Sequence, residues 1–184
     1  MPQPALRLIP NAWIEIRDGY IHRLSSEAEP LPEEARRAEC FDAGGALATP
    51  GLVDCHTHPV FKGTRQAEFV RRCRGETYLQ IAAAGGGIKS SMRGVREASE
   101  KELARLIRAR LDRFAALGVT MIEAKSGYGL SFEAELKSLR ALRKAAEGHP
   151  VEVSPTLLAA HVVPPEFQGR ADDYVEMIVQ ELIP

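Results

Sequence analysis

The sequence predicts an α/β fold with parallel strands, and three observations carry that expectation. From about residue 48 onward, apolar runs of strand length alternate with stretches of helical periodicity, the pattern that lays covering helices on parallel strands. Ahead of this alternation stand two short segments of period-two patterning joined at Asp18-Gly19. The composition is that of an ordinary globular chain: of 184 residues, 45% are hydrophobic and 27% charged, enough for a core and too apolar for disorder.

Taken in order, Trp13 to Leu24 reads as a β-hairpin, because Asp-Gly favours the two-residue turn whose twist matches paired strands. Residues 25–39, with Ser25, Ser26, Pro30 and Pro32, read as a polar connection without clear periodicity. Thr49-Pro50-Gly51 is a turn signal, and the apolar residues after it read as a strand buried on both faces. A boundary near residue 48 therefore separates 1–48 from 49–184.

Gly85-Gly86-Gly87 follows three alanines and lacks the Gly-Lys-Ser/Thr of a phosphate loop, so it reads as a hinge or helix stop. Lys89, Arg93 and Arg96 have the spacing of one solvated helix face that binds nothing in particular. A helix over about 100–117 carries Leu103, Leu106, Ile107, Leu111, Phe114 and Leu117 on one stripe, with a capping box at Ser99 and Glu102 and a stop at Gly118. Val119 to Lys125 is a second strand, and Ser126-Gly127-Tyr128-Gly129 leads from it into a helix over about 132–147. Val151 to Ala160 reads as a third strand weakened by Pro155, and Asp172 to Ile183 as a further helix. Three strand–helix units are too few to close an eight-stranded barrel of about 250 residues, so the chain reads as an incomplete part of one.

Bulk properties narrow the function. Lysine and arginine number 24 against 25 acidic residues, a net charge of -1, which gives no electrostatic reason to expect nucleic acid or an anionic membrane. The expected partner is a small molecule, with a homodimer left open. Cys40, Cys55 and Cys73 show no Cys-x-x-Cys spacing and suit free thiols, so the expected compartment is the cytoplasm. No segment has the roughly eighteen apolar residues that a bilayer span needs, and the N-terminus lacks the apolar core of a signal peptide.

The chemistry concentrates in Asp54-Cys55-His56-Thr57-His58. Period-two alternation puts His56 and His58 on one face at the carboxyl end of a strand, the end at which barrel enzymes place their sites, so both imidazoles can reach one metal ion. Zinc or iron suits such donors and lowers the pKa of bound water, so the expected reaction is hydrolytic. His161, after the third strand, brings another imidazole to the same rim. Tyr128 stands in a glycine-flanked loop that fits either a plain turn or a close approach to ligand. From spacing alone Arg65 reads as a solvated arginine, like Arg71, Arg72 and Arg74. His22 and His149 read as surface residues.

Thr49-Pro50-Gly51-Leu52-Val53-Asp54-Cys55-His56-Thr57-His58 resembles the first-strand signature of the amidohydrolase superfamily. More narrowly, Ala82 to Ile88, Lys125 to Leu130 and Ala160 to Pro165 resemble the imidazolonepropionases over about residues 42–184. The resemblance implies a metal-dependent (β/α)8 TIM-type barrel, present in part, beside a small β-sandwich to which residues 1–48 contribute. It implies one Zn2+ or Fe2+/Fe3+ held by His56 and His58, substrate contacts from Arg65, Tyr128 and His161, and hydrolysis of 4-imidazolone-5-propanoate to N-formimidoyl-L-glutamate in histidine degradation. It also reverses the reading of Arg65, since a guanidinium is a sensible anchor for a propanoate. A carbamylated lysine at Lys125 is not expected, because that lysine belongs to a later strand, so one metal is favoured. The catalytic acid and base are expected downstream of Pro184 and none within this chain, and the chain alone is expected to be inactive. The alternatives are another cyclic amidase or deaminase of the superfamily, or a barrel scaffold that has lost its chemistry.

Overall fold

The computed structural model describes residues 8–25 and 29–183. The N-terminal stretch and Ser26 of the polar connection lie outside them. Contacts divide the chain into two compact units, 1–50 and 51–184.

In the first unit, β1 (Ile14–Arg17) and β2 (Tyr20–Leu24) pair antiparallel, with a register shift between Glu15 and Ile16. Asp18 and Gly19 both take positive φ, 52° and 79°, as the tight hairpin turn requires. Buried Ser25 closes the open end: its Oγ accepts the Trp13 N–H at 2.9 Å, and its own N–H donates to the Trp13 carbonyl at 3.1 Å. The polar connection contains one 3-10 turn, Glu33–Arg37.

The second unit is built on a three-stranded parallel sheet in the order β3 (Leu52–Thr57), β4 (Val119–Lys125), β5 (Glu152–Thr156). Between β3 and β4 run α1 (Gln66–Cys73), α2 (Tyr78–Ala83), α3 (Ile88–Glu97) and α4 (Glu100–Ala116). α5 (Phe132–Ala146) joins β4 to β5, and α6 (Ala171–Met177) continues into a wider π turn over Ile178–Leu182. Because the strands are parallel and Thr57 pairs with Ala124 and Lys125 with Thr156, the three carboxyl ends share one edge. The loops that follow them share that edge too.

Apolar periodicity explains how the helices sit. Leu103, Ile107 and Leu111 of α4 and Ala141, Leu142 and Ala145 of α5 are buried together against Ile122 and Ala124 of β4. Burying a leucine or isoleucine side chain contributes about 1.5–3 kcal/mol, so this seam is the main fixed body beneath the loops. Leu117, read as the end of the stripe, is 74% exposed, because it follows the last turn of α4.

Several other expectations are corrected. β3 is not buried on both faces: Leu52 and Val53 are 57% and 63% exposed, since its principal neighbour is β4 and no helix packs extensively over it among the described residues. β5 ends at Thr156 rather than Ala160, because the Leu158 N–H turns to Ser126 Oγ at 3.0 Å and Ala159–His161 forms a 3-10 turn. Only half of the capping box at Ser99 forms: Ser99 Oγ accepts the Glu102 N–H at 3.1 Å, while the Glu102 carboxylate pairs with Lys62 at 3.0 Å. The complete box is at Thr77 and Gln80, opening α2. Arg96 is no idle surface cation, since it donates to the carbonyls of Gly129 and Leu130 at 2.7 and 3.0 Å and pairs with Glu166 at 2.6 Å. The His149 side chain is 2% exposed, held between the Val151 N–H on Nδ1 (3.0 Å) and Asp112 on Nε2 (3.2 Å).

Candidate functional site

His56 is the fifth residue of β3, and His58 stands one residue beyond its end. Thr57, between them, donates from Oγ1 to the Glu123 carbonyl at 2.6 Å, which pins the strand end to β4. Asp54 Oδ1 accepts the His56 N–H at 3.2 Å. The two imidazoles come to 5.5 Å between centroids despite a register irregularity between Asp54 and Thr57.

His58 is the hub of the cluster. Its ring stacks on Tyr128 and on His161, each at 5.1 Å between centroids, and Tyr128 and His161 are 5.5 Å apart. Tyr128 comes from the β4–α5 loop, and His161 closes the 3-10 turn after β5. All three carboxyl-end loops thus supply a ring to one cluster. Gly127 makes this approach possible: it takes φ 96°, and a Cβ there would meet the Leu158 carbonyl at 2.7 Å. Gly94 of α3 serves the first loop in the same way, since a Cβ there would meet the Lys62 carbonyl at 2.6 Å.

Beside the rings opens a cleft of about 260 Å3, lined among others by His58, Phe61, Lys62, Arg65, Ser91 and Tyr128. Arg65 is the N-terminal cap residue of α1 and pairs with Glu68, through Nε at 2.8 Å and Nη2 at 2.7 Å. Glu68 also accepts the Gly87 N–H at 2.9 Å, so one carboxylate ties the arginine to the start of α3. The hydrogen bond that Arg65 donates holds the Glu68 carboxyl below its ordinary range, and by accepting it Glu68 raises the guanidinium further. Burial pushes the Tyr128 phenol up, with Arg65 opposing it.

Burial also lowers the His58 imidazole, with His161 next in effect, a backbone hydrogen bond at Ser126 opposing them, and His56 and Lys125 adding to the fall. The neutral form so favoured is the one that ligates metals. Among the described residues, buried His58 Nδ1 finds no hydrogen-bond partner. Glu123 and Lys125 form an ion pair on the next strand, and Thr156 donates to Glu123 at 2.7 Å. Among the described residues, no three His, Cys, Asp or Glu side chains gather as a metal-holding group.

No family model matches the chain. Curated proteins do. An imidazolonepropionase of Solibacter usitatus is 45% identical over 98% of this chain and 44% of its own length. One from Pseudomonas aeruginosa (strain UCBPP-PA14) is 51% identical over 92% of the chain and 42% of its own. A third, from Shewanella frigidimarina, is 45% identical over 99% and 44%. Over the residues they share, the chain is similar to these imidazolonepropionases. It spans less than half the length of these relatives.

Two residues of the site escaped the sequence reading. Glu68 sits in a helix with no buried residue, where it looks like a solvated charge. Glu135 is fully buried in α5 and accepts the N–H groups of Gly127, Gly129 and Leu130 at 3.0, 2.7 and 2.8 Å. A signal for it did exist: a carboxylate on the same helical stripe as Ser138 and Leu142, just after a loop with two glycines. His22, in the first unit, is not part of the cluster of rings.

Proposed function

We propose that this chain supplies the opening part of an enzyme that hydrolyses the cyclic C–N bond of 4-imidazolone-5-propanoate to give N-formimidoyl-L-glutamate, in the cytoplasm. In this reading residues 49–184 are the first part of a (β/α)8 barrel, and residues 1–48 belong to a small β-sandwich beside it. The names of the relatives support the reaction. The observation that carries the site is the meeting of Arg65, Tyr128 and His58 around one cleft, with His161 stacked on His58.

His56 and His58 would hold one zinc or iron ion, since both rings lie at one strand end and the buried Nδ1 of His58 has no hydrogen-bond partner among the described residues. When bound, such an ion acts as a Lewis acid that makes a nucleophile of water near neutral pH. Two imidazoles fall short of the three or four protein donors usual in such centres. We place the others, with the catalytic acid and base, in the portion of such proteins that this chain does not span.

The chain's own residues bind and orient. Glu68 occupies one edge of the Arg65 guanidinium, which leaves its other edge to take the propanoate carboxylate through paired N–H bonds. Tyr128 keeps its proton, because burial disfavours the phenolate, so its hydroxyl donates to a substrate oxygen. His161 faces the same ring cluster and offers a hydrogen bond to the imidazolone ring.

Arg65→Ala in the full-length protein tests this. A lost charge-assisted hydrogen bond costs about 1.5–3 kcal/mol, so KM should rise about 10- to 100-fold for the propanoate-bearing ring. An analogue without the carboxylate should scarcely notice the change. Equal effects on the two compounds would remove Arg65 from the anchor role and the substrate from this reading.

A further inference from the structure

We propose that Glu135 is a positioning residue for this site: its buried carboxylate fixes the loop that presents Tyr128 and sets which ring nitrogen of His161 faces the ligand. The inference rests on the reading of Tyr128 and His161 as substrate contacts.

Carboxylates are seldom fully buried without a cation, yet among the described residues Glu135 forms no ion pair. Among the described residues, its carboxyl group accepts hydrogen bonds from backbone N–H groups alone. Oε2 accepts from Gly127 at 3.0 Å, and Oε1 accepts from Gly129 at 2.7 Å and Leu130 at 2.8 Å. Three N–H donors converging on one carboxyl group can together hold an unfavourable backbone. Such a backbone is present, since Leu130, a non-glycine residue, has φ 56°.

The loop held in this way serves the cluster twice. Tyr128 lies between two anchored residues, which leaves its ring 5.1 Å from His58. The Gly127 carbonyl meets Nδ1 of His161 at 3.0 Å. A carbonyl oxygen only accepts, so Nδ1 carries the proton, and in the neutral ring the lone pair is on Nε2. Among the described residues this is the only hydrogen bond of the His161 ring. A Cβ on residue 127 would lie 3.1 Å from His161 Cβ, so the Gly127 backbone passes close against the histidine.

Glu135→Gln separates positioning from mere folding. A glutamine has one acceptor oxygen, which can keep Gly129 and Leu130, and sets its NH2 against the Gly127 N–H, which it cannot accept. Release should therefore centre on the residue that holds His161. In the full-length protein, 15N-histidine NMR reads the tautomer, and steady-state kinetics with 4-imidazolone-5-propanoate read the site. The wild type should show His161 protonated on Nδ1, with Nε2 bare. Glu135→Gln should fold, lose that signature and lower kcat/KM by up to about 100-fold, the cost of a misplaced group. His161→Ala should then add little to the loss. A wild-type His161 protonated on Nε2 overturns the proposal, as does a Glu135→Gln protein of lower melting temperature with unchanged tautomer and kinetics. If Glu135→Gln does not fold, Glu135→Asp is read by the same two measures, and a wild-type signature there also overturns it. A wild type that leaves this substrate untouched while keeping the Nδ1 proton would refute the proposed reaction and not the role of Glu135.

Discussion

Tyr174 ties the segment that carries His161 to the last helix with one hydroxyl. The side chain is buried, its O–H donates to the Ala159 carbonyl at 2.8 Å, and burial, with Glu135 adding, pushes its pKa up to about 12. The folded value thus lies above the ordinary value of 10, so the contribution of this group is complete below pH 10 and is lost as pH rises towards 12. Tyr174→Phe should cost about 0.5–1.5 kcal/mol at neutral pH and flatten the fall in stability between those two pH values, as read by urea unfolding across the alkaline range. An unchanged alkaline slope would mean that Tyr174 titrates normally. Residues of this kind are hard to see in a sequence. The His-x-His pair is legible because period-two spacing sets two rings on one side of a strand end, whereas Glu135 and Glu68 look like any helical glutamate until their partners are known.

At the scale of elements, periodicity was informative wherever one face met a core. α4, β4 and α5 lie within a residue or so of where apolar spacing places them, because Leu103, Ile107, Leu111 and Leu142 pack on one seam. Leu111→Ala should destabilise by about 2–5 kcal/mol, as truncation in a closed core does. Exposed Leu117→Ala should change stability by less than about 0.5 kcal/mol in the same denaturation. Similar losses at both sites would contradict the placement of the stripe. Periodicity was silent on α1, which buries no residue, and the Thr77–Gln80 box at the start of α2 went unread in the sequence. It overran β5, because the apolar residues Leu157 to Ala160 continue the strand pattern while Ser126 takes the Leu158 N–H away from the ladder.

For the molecule as a whole, parallel order gathers the three carboxyl ends and so gathers their loops. Hydrogen exchange should be slowest in β4, paired on both sides and covered by α4 and α5, and fastest in the two-stranded β1–β2 ladder. The reverse order would place the stable body elsewhere. The sequence alone determined the α/β class, the hairpin, the order of the principal strands and helices and the paired imidazoles, since each is a short-range pattern of side-chain chemistry. Tertiary structure decided that His58 stacks with Tyr128 and His161, that Arg65 reaches their cleft and that a buried glutamate holds the loop between them. Those facts depend on which residues far apart in the chain are folded to within a few ångströms, and local patterning carries no record of that.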